Sequence, residues 1–300
     1  MGIDETVITS PAITVQHQER RIMQGVERFY QPQTIEEALD MLGRDKESVP
    51  VAGGTSWAKA RRGPKALLDL GSLGLDYINN IGEEIAIGSM TTVHEIANNP
   101  ILRDSNCCLT QAAEAISTRP LRNMITIGGN IISGFFWCEL PVALLVLDAE
   151  LVLEDGGSKM SMMELLSENP KHKIPPGKLL KEVRIPKAFL DKKSCFIKFA
   201  RTQDEYALAS VAISLKQEDG VCKDVRIAVG SLGPRPERLL ESEIAVEGRN
   251  FEDALAIVAE SVCNESTKNA RKDIRFSIEY RCKLAGTLAK RVLENCGGGK

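Results

Sequence analysis

The sequence predicts an α+β chain made of two units, and three observations predict it. Three hundred residues exceed what one small core usually organises. Up to about Pro186, short β-like and helix-like segments alternate, as in a two-lobed α/β arrangement. From Cys195 the character changes to three β-like runs followed by two long helical patterns, which suggests a small antiparallel sheet with helices. The division falls between Pro186 and Cys195, in the charged stretch KAFLDKK. This gives a polar arm over 1–24, a first unit over 25–190 and a second over 191–300.

Taken in order, Val26 to Gln31 reads as a short strand. Thr34 then caps a helix whose first turn carries Glu36 and Glu37, with Ile35, Ala38, Leu39 and Leu42 on one face and Gly43 at its C-terminus. VPVAGGTSW is an apolar strand running into a glycine pair, ALLDL is another strand, and DYINNIGEEIAIGSMTT reads as a hairpin turning near Gly82. Thr92 caps a helix, VHEIANNP, and a further helix spans roughly 109–117. LPVALLVLDAELVLEDG predicts a short helix, then a strand ending at the Asp155-Gly156-Gly157 turn. In the second unit, CFIKFAR, ASVAISLK and VRIAVGSLG are strands, the last two joined at the turn signal EDG. FEDALAIVAESV and FSIEYRCKLAGTLAKRVLEN are helices, the latter with Ile278, Cys282, Ala285, Leu288 and Val292 on one face.

Composition narrows the function. The chain is 43% hydrophobic and 26% charged, with a formal net charge of -3. That is an ordinary soluble balance and speaks against a nucleic-acid binder, which tends to be basic. No run of about eighteen apolar residues predicts a membrane span, and the N-terminus does not read as a secretory signal. Eight cysteines are scattered without a Cys-x-x-Cys pair, and the three histidines are far apart, so no metal centre is expected. Scattered thiols of this kind suit a reducing, cytoplasmic setting.

Two segments stand out, Ala52-Gly53-Gly54-Thr55-Ser56 and Thr126-Ile127-Gly128-Gly129-Asn130. In each, an apolar strand is expected to end in two glycines followed by hydrogen-bonding side chains. Glycine allows close backbone approach and positive φ. Successive N–H groups can then face a phosphate, while Thr, Ser and Asn side chains can meet phosphate or hydroxyl oxygens. Neither loop is a G-x-G-x-x-G fingerprint or a G-x-x-x-x-G-K loop, so a nucleotide site here is not of the Rossmann or P-loop kind.

VAGGTSWAKARRGPKALLDL and RNMITIGGNII resemble the two flavin loops of the FAD subunits of the xanthine dehydrogenase and carbon monoxide dehydrogenase family, the molybdenum hydroxylases. LPVALLVLDAELVL, FIKFARTQDEYALASVAISL, VRIAVGSLGPRPERLLESE and DIRFSIEYRCKLAGTLAKRVL continue the resemblance in order, from about 25 to 295. It implies a two-lobed FAD-binding domain of the vanillyl-alcohol oxidase (PCMH) type followed by a smaller α+β domain of the CO dehydrogenase flavoprotein kind. It also implies that Ala52, Gly53, Gly54, Thr55, Ser56 and Trp57 wrap the FAD pyrophosphate. Thr126, Gly128, Gly129 and Asn130 would meet it from the other lobe. Glu139 stands where the family usually has an aspartate on the ribityl chain. Lys198 and Ile116 match positions near the flavin, and Tyr206 matches a bulky residue against the isoalloxazine ring.

The implied function is electron relay: from [2Fe–2S] clusters of a small partner subunit, through FAD, to an acceptor such as NAD+, while a molybdopterin-binding large subunit hydroxylates the substrate. No catalytic residue is implied on this chain. Two alternatives are a flavin-free docking subunit and a free-standing flavin oxidoreductase. The chain departs from the family at Gly134-Phe135-Phe136-Trp137, where relatives often have Ala-Ser-Pro-Ala. These aromatics could line the flavin, dock a partner or fill the core. Arg122 could touch phosphate or sit solvated. Tyr206 could pack on a strand and Glu139 could cap the following helix. Arg61, Arg62 and Lys65 could steer an anion, and His94 reads as structural.

Overall fold

The computed structural model describes residues 25–57, 63–105, 107–154 and 156–297. The expected arm over 1–24, Arg61, Arg62 and Asp155 lie outside the described residues.

The first lobe is a parallel sheet of β1 (Arg28–Tyr30), β3 (Ala66–Asp69) and β2 (Ser48–Val51), in the order β1-β3-β2. Helix α1 (Ile35–Arg44) links β1 to β2, because parallel strands need a crossover. Thr34 caps it as expected, its hydroxyl accepting from the Glu37 N–H at 3.2 Å. Ala38 and Leu42 are buried with Leu68 and Leu70. Gly43 does not end this helix. The helix runs through Arg44, and Asp45 caps it, held by Arg28 Nε at 3.0 Å and the Tyr30 hydroxyl at 3.1 Å. A side-chain anchor replaces the expected glycine stop.

The second lobe is an antiparallel sheet in the order β4-β5-β8-β6-β7, from β4 (Ile78–Ile81), β5 (Glu84–Gly88), β6 (Glu150–Leu153), β7 (Lys159–Ser161) and β8 (Leu180–Pro186). Gly82, at φ +65°, turns the first hairpin. Between β5 and β6 come α2 (Val93–Asn98), α3 (Pro100–Asp104), α4 (Cys108–Glu114), α5 (Arg119–Arg122), α6 (Ile127–Ile132) and α7 (Leu140–Val146). α8 (Met162–Leu166) and α9 (Pro170–Lys173) precede β8. Thr92 and Glu95 form a reciprocal capping box on α2. Every residue of α7 is buried, which explains why its sequence shows no amphipathic stripe.

Helix α10 (Lys187–Leu190) leads to β9 (Lys193–Phe199), β10 (Ala209–Glu218), β11 (Val221–Gly230) and β12 (Glu237–Arg238), a second antiparallel sheet in the order β12-β11-β10-β9. Asp219 and Gly220 both have positive φ between the paired Glu218 and Val221, the two-residue turn that suits strand twist. α11 (Leu240–Val246), α12 (Phe251–Ser266) and α13 (Ile278–Gly297) follow. Both faces of this sheet are covered. Val211, Ile213, Ile227 and Val229 pack against Val258, Val262, Ala285 and Leu288. The alternate residues Phe196, Ala212 and Ala228 join the core around α4 and α7, as the two-residue strand period requires.

Candidate functional site

The two glycine loops meet. A Cβ built on Gly53 would lie 1.5 Å from the carbonyl oxygen of Met124, so the loop after β2 rests directly on the turn that precedes α6. Only a residue without a side chain permits that approach. Gly54 has φ +68° and open space where a Cβ would point. Beyond it the chain turns back, with Trp57 N–H donating to the Gly54 carbonyl at 3.1 Å. Among the described backbone hydrogen bonds, the amides of Gly53, Gly54, Thr55 and Ser56 are not donors. Ala52, Gly53, Gly54, Thr55 and Trp57 are half-buried and Ser56 is exposed.

The second loop is built differently from the expected strand end. Thr126 is the N-cap of α6, and both glycines lie in the helix's first turn. The amides of Ile127 and Gly128 donate to the Thr91 and Ser89 carbonyls, each at 2.9 Å. Gly129 N–H donates to Thr126 Oγ1 at 3.1 Å, and Asn130 N–H to the Thr126 carbonyl at 2.9 Å. Gly128 is required because a Cβ would sit 2.8 Å from the Ser89 carbonyl oxygen. These four amides are therefore committed within the protein. The Asn130 side chain, 8% exposed, keeps a buried Oδ1 with no described partner. An orphan acceptor of this kind calls for a donor, and a hydroxyl supplies one where a phosphate oxygen does not.

Glu139 and Lys198 form a buried ion pair, Nζ to Oε1 at 2.9 Å, with side chains 7% and 8% exposed. Glu139 stands at the N-cap position of α7 but makes no side-chain cap bond there, so it does not act as the cap considered from sequence. Lys198 also donates to the carbonyls of Ala115 at 3.0 Å and Gln203 at 3.4 Å. Burial raises the Glu139 carboxyl above the usual glutamate range even though Lys198 opposes the shift. Lys198, Gln111, Ala115 and Gln203 help to line an open cavity of about 260 Å³.

Ile116 is 4% exposed and belongs to the core. Its carbonyl accepts from Arg122 Nη1 at 3.0 Å, and that same nitrogen reaches the carbonyls of Ser117 at 2.9 Å and Glu114 at 3.3 Å. Arg122 is thus not a free surface arginine, and its Nε is a buried donor with no described partner. It ties down the turn that contains Ser117, which has φ +39°. Lys65 pairs with Glu47, and His94 lies in the first turn of α2 beside Asn98.

Residues 135–137 form an aromatic cluster. Trp137 stacks on Phe135 at 4.5 Å, meets Phe136 edge-on at 4.6 Å and packs on Tyr206 at 4.3 Å between ring centres. The Arg271 guanidinium lies 3.3 Å over the Phe136 ring. Tyr206 therefore packs on an aromatic of the first unit. Sequence reasoning missed Met124, Ser89 and Ala115. They contribute through main-chain carbonyls, a role no side chain advertises.

The first of two family models, the FAD binding domain in molybdopterin dehydrogenase, matches residues 22–188. The chain belongs to this FAD-binding family. The second model, the CO dehydrogenase flavoprotein C-terminal domain, matches residues 194–296. The chain is 28% identical to the glyceraldehyde dehydrogenase medium chain of Sulfolobus acidocaldarius, covering 89% of this chain and 96% of that one. It is also 28% identical to the nicotine 6-hydroxylase medium subunit of Paenarthrobacter nicotinovorans, covering 90% and 97%. Reconstituted CO dehydrogenase from Oligotropha carboxidovorans matches with a TM-score of 0.82 at 26% identity, covering 89% of this chain and 96% of that one. Its relatives are oxidoreductase subunits, and the cofactor of the family is FAD. The residues present fit that cofactor. Amides around the open side of Gly54 suit an anion, and the orphan Asn130 acceptor suits a hydroxyl. Among the described residues, no metal-ligating cluster occurs and no helix is long and apolar enough to cross a membrane.

Proposed function

We propose that the chain is the electron-relay subunit of a molybdenum hydroxylase, taking electrons from [2Fe–2S] clusters on a small subunit and passing them to an acceptor such as NAD+. A molybdopterin-binding large subunit completes the assembly, which works in the cytoplasm. The relatives named above as medium chain and medium subunit support this arrangement. The functional division is 25–190 for FAD and 191–300 for the C-terminal domain. Bound FAD supplies the redox chemistry, accepting electrons singly and releasing them as a pair, while the protein sets position and electrostatics.

The observation that carries the reading is the contact of Gly53 with the Met124 carbonyl, which brings the two loops together. On this reading the pyrophosphate lies along Ala52–Trp57, recognised by the amides of Gly53 to Ser56. Thr126, Gly128, Gly129 and Asn130 form the opposite wall. Asn130 Oδ1 accepts from a hydroxyl of the cofactor. Glu139 and Lys198 stand at the flavin end beside Ile116, and Tyr206 with Trp137 bounds the ring.

The test is the visible spectrum of the purified chain after reconstitution with FAD, run beside Gly53→Ala. We expect flavin bands in the parent. In the variant, the methyl group must push Met124 away, so flavin occupancy falls at least tenfold with the far-ultraviolet circular dichroism unchanged. Equal occupancy in both proteins overturns the loop assignment. A parent that takes up no flavin at all points instead to a docking subunit.

A further inference from the structure

All eight cysteines are free, and seven are buried. Most are isolated. Cys138, for example, neighbours Ser133 and is pushed up to about 12 by burial, which leaves it an inert thiol. Cys195 and Cys296 are different. Cys195 lies on β9 directly opposite Ile213 of β10. Cys296, in the last turn of α13, places its sulfur 3.8 Å from the Ile213 carbonyl oxygen. Cα atoms of directly opposed residues on antiparallel strands are about 4.5–5.5 Å apart. The last turn of α13 therefore sits over the very strand pair that carries Cys195, and both residues belong to the same apolar core. Cys195 and Cys296 thus flank the same residue, Ile213.

We propose that Cys195 and Cys296 are a reversible oxidation site, forming a disulfide when the protein meets a hydroperoxide such as hydrogen peroxide. In the first step, the Cys195 thiolate attacks one peroxide oxygen. The O–O bond breaks, an S–O bond forms, and hydroxide leaves to take up the thiol proton as water. In the second step, the Cys296 sulfur attacks the Cys195 sulfenic acid, the S–S bond forms and a second water leaves. Two thiols lose two electrons and two protons, and one peroxide becomes two waters.

The division of roles follows from the surroundings. The neighbouring Cys296 thiol holds the Cys195 thiol below its usual range, while Cys195 and burial push Cys296 well above it. Cys195, the less buried of the two, is the thiol that meets the peroxide, and Cys296 is the resolving partner. Cys195 is 8% exposed against 3% for Cys296, so it lies nearer the surface of the pair. The bridge would tie the end of α13 to β9, the strand that carries Lys198 three residues on. It closes a loop of about a hundred residues, long enough to constrain the unfolded chain strongly. Cys107 and Cys108 also interact, but they are adjacent in sequence at the start of α4, where a bridge would distort the helix's first turn.

The experiment treats the full chain with hydrogen peroxide and compares it with Cys195→Ser and Cys296→Ser. We expect a mass loss of about 2 Da and a fall from eight free thiols under denaturing conditions to about six, both restored by dithiothreitol. A non-reducing peptide map should show one cross-linked peptide containing both residues, absent in each variant. Cys296→Ser should instead accumulate a dimedone-reactive Cys195. The map of the unmutated chain decides the matter even if a variant fails to fold. A map with no bridge, or with Cys107–Cys108 as the bridge, overturns the proposal.

Discussion

Lys198 has three hydrogen-bond donors, and the fold uses all of them: on Glu139, on the Ala115 carbonyl and on the Gln203 carbonyl. The lysine thus joins α7, the end of α4 and the loop after β9 around one buried charge pair. Such a pair adds little net stability over an apolar substitute, but removing one partner strands the other charge, at a cost of about 3–5 kcal/mol. Lys198→Met should show that loss at neutral pH. The sign of its pH dependence follows from Glu139, whose carboxyl is already raised by burial. A carboxyl raised in the folded state binds its proton more tightly there than in the unfolded chain. Its burden on stability is full above the raised value and fades as pH falls through it. The deficit of Lys198→Met in urea unfolding should therefore shrink on acidification from pH 7. A deficit that stays constant across that range would show that the lysine acts through packing alone.

A glycine sits at the crossing of α12 and α13. A Cβ on Gly286 would lie 2.2 Å from the Ala259 carbonyl oxygen, so the two helices touch backbone to side-chain position. Gly286→Ala should cost about 1–3 kcal/mol as overpacking, because a helix carbonyl cannot swing aside. Gly43→Ala serves as the control, since its Cβ would meet nothing within 4 Å and alanine is the better helix former. Urea midpoints that move equally in both variants would remove the crossing from the account. Of the predicted stripe, Cys282, Ala285, Leu288 and Val292 are buried and Ile278 is only half-buried; it was legible from spacing because it is local. What that stripe packs against was not. The same limit explains α6. Ile125-Thr126-Ile127 reads as β-like, and two glycines weaken any helical signal, yet Thr126 caps a helix once Thr91 and Ser89 accept the next amides. Glu139 was legible as a carboxylate in the candidate site, but its bond to Lys198, 59 positions away, is made by the fold.

At the scale of the molecule, the C-terminal sheet shares its apolar faces between the two units. Phe196, Ala212 and Ala228 complete the core of the first unit while the opposite face packs on α12 and α13. Polar contacts cross the same junction. The Phe196 N–H donates to Gln111 Oε1 at 2.7 Å, Cys108 N–H to Ser194 Oγ at 3.0 Å, and Ser231 N–H to the Phe136 carbonyl at 2.9 Å. Separating the units would expose apolar side chains and leave these groups without partners, at roughly 1–3 kcal/mol for each buried polar group. That penalty makes the two units unfold together. Tryptophan fluorescence samples the first unit, since both tryptophans, Trp57 and Trp137, precede β9. Helical circular dichroism samples both units, and includes α12 and α13, the two longest helices, in the second unit. The two signals should therefore give one coincident thermal transition. Adding FAD at a hundred times its dissociation constant should move both together, by about 2.7 kcal/mol of stabilisation. If FAD delays the fluorescence transition and leaves the helical one in place, the units are energetically separate and the shared core does not couple them.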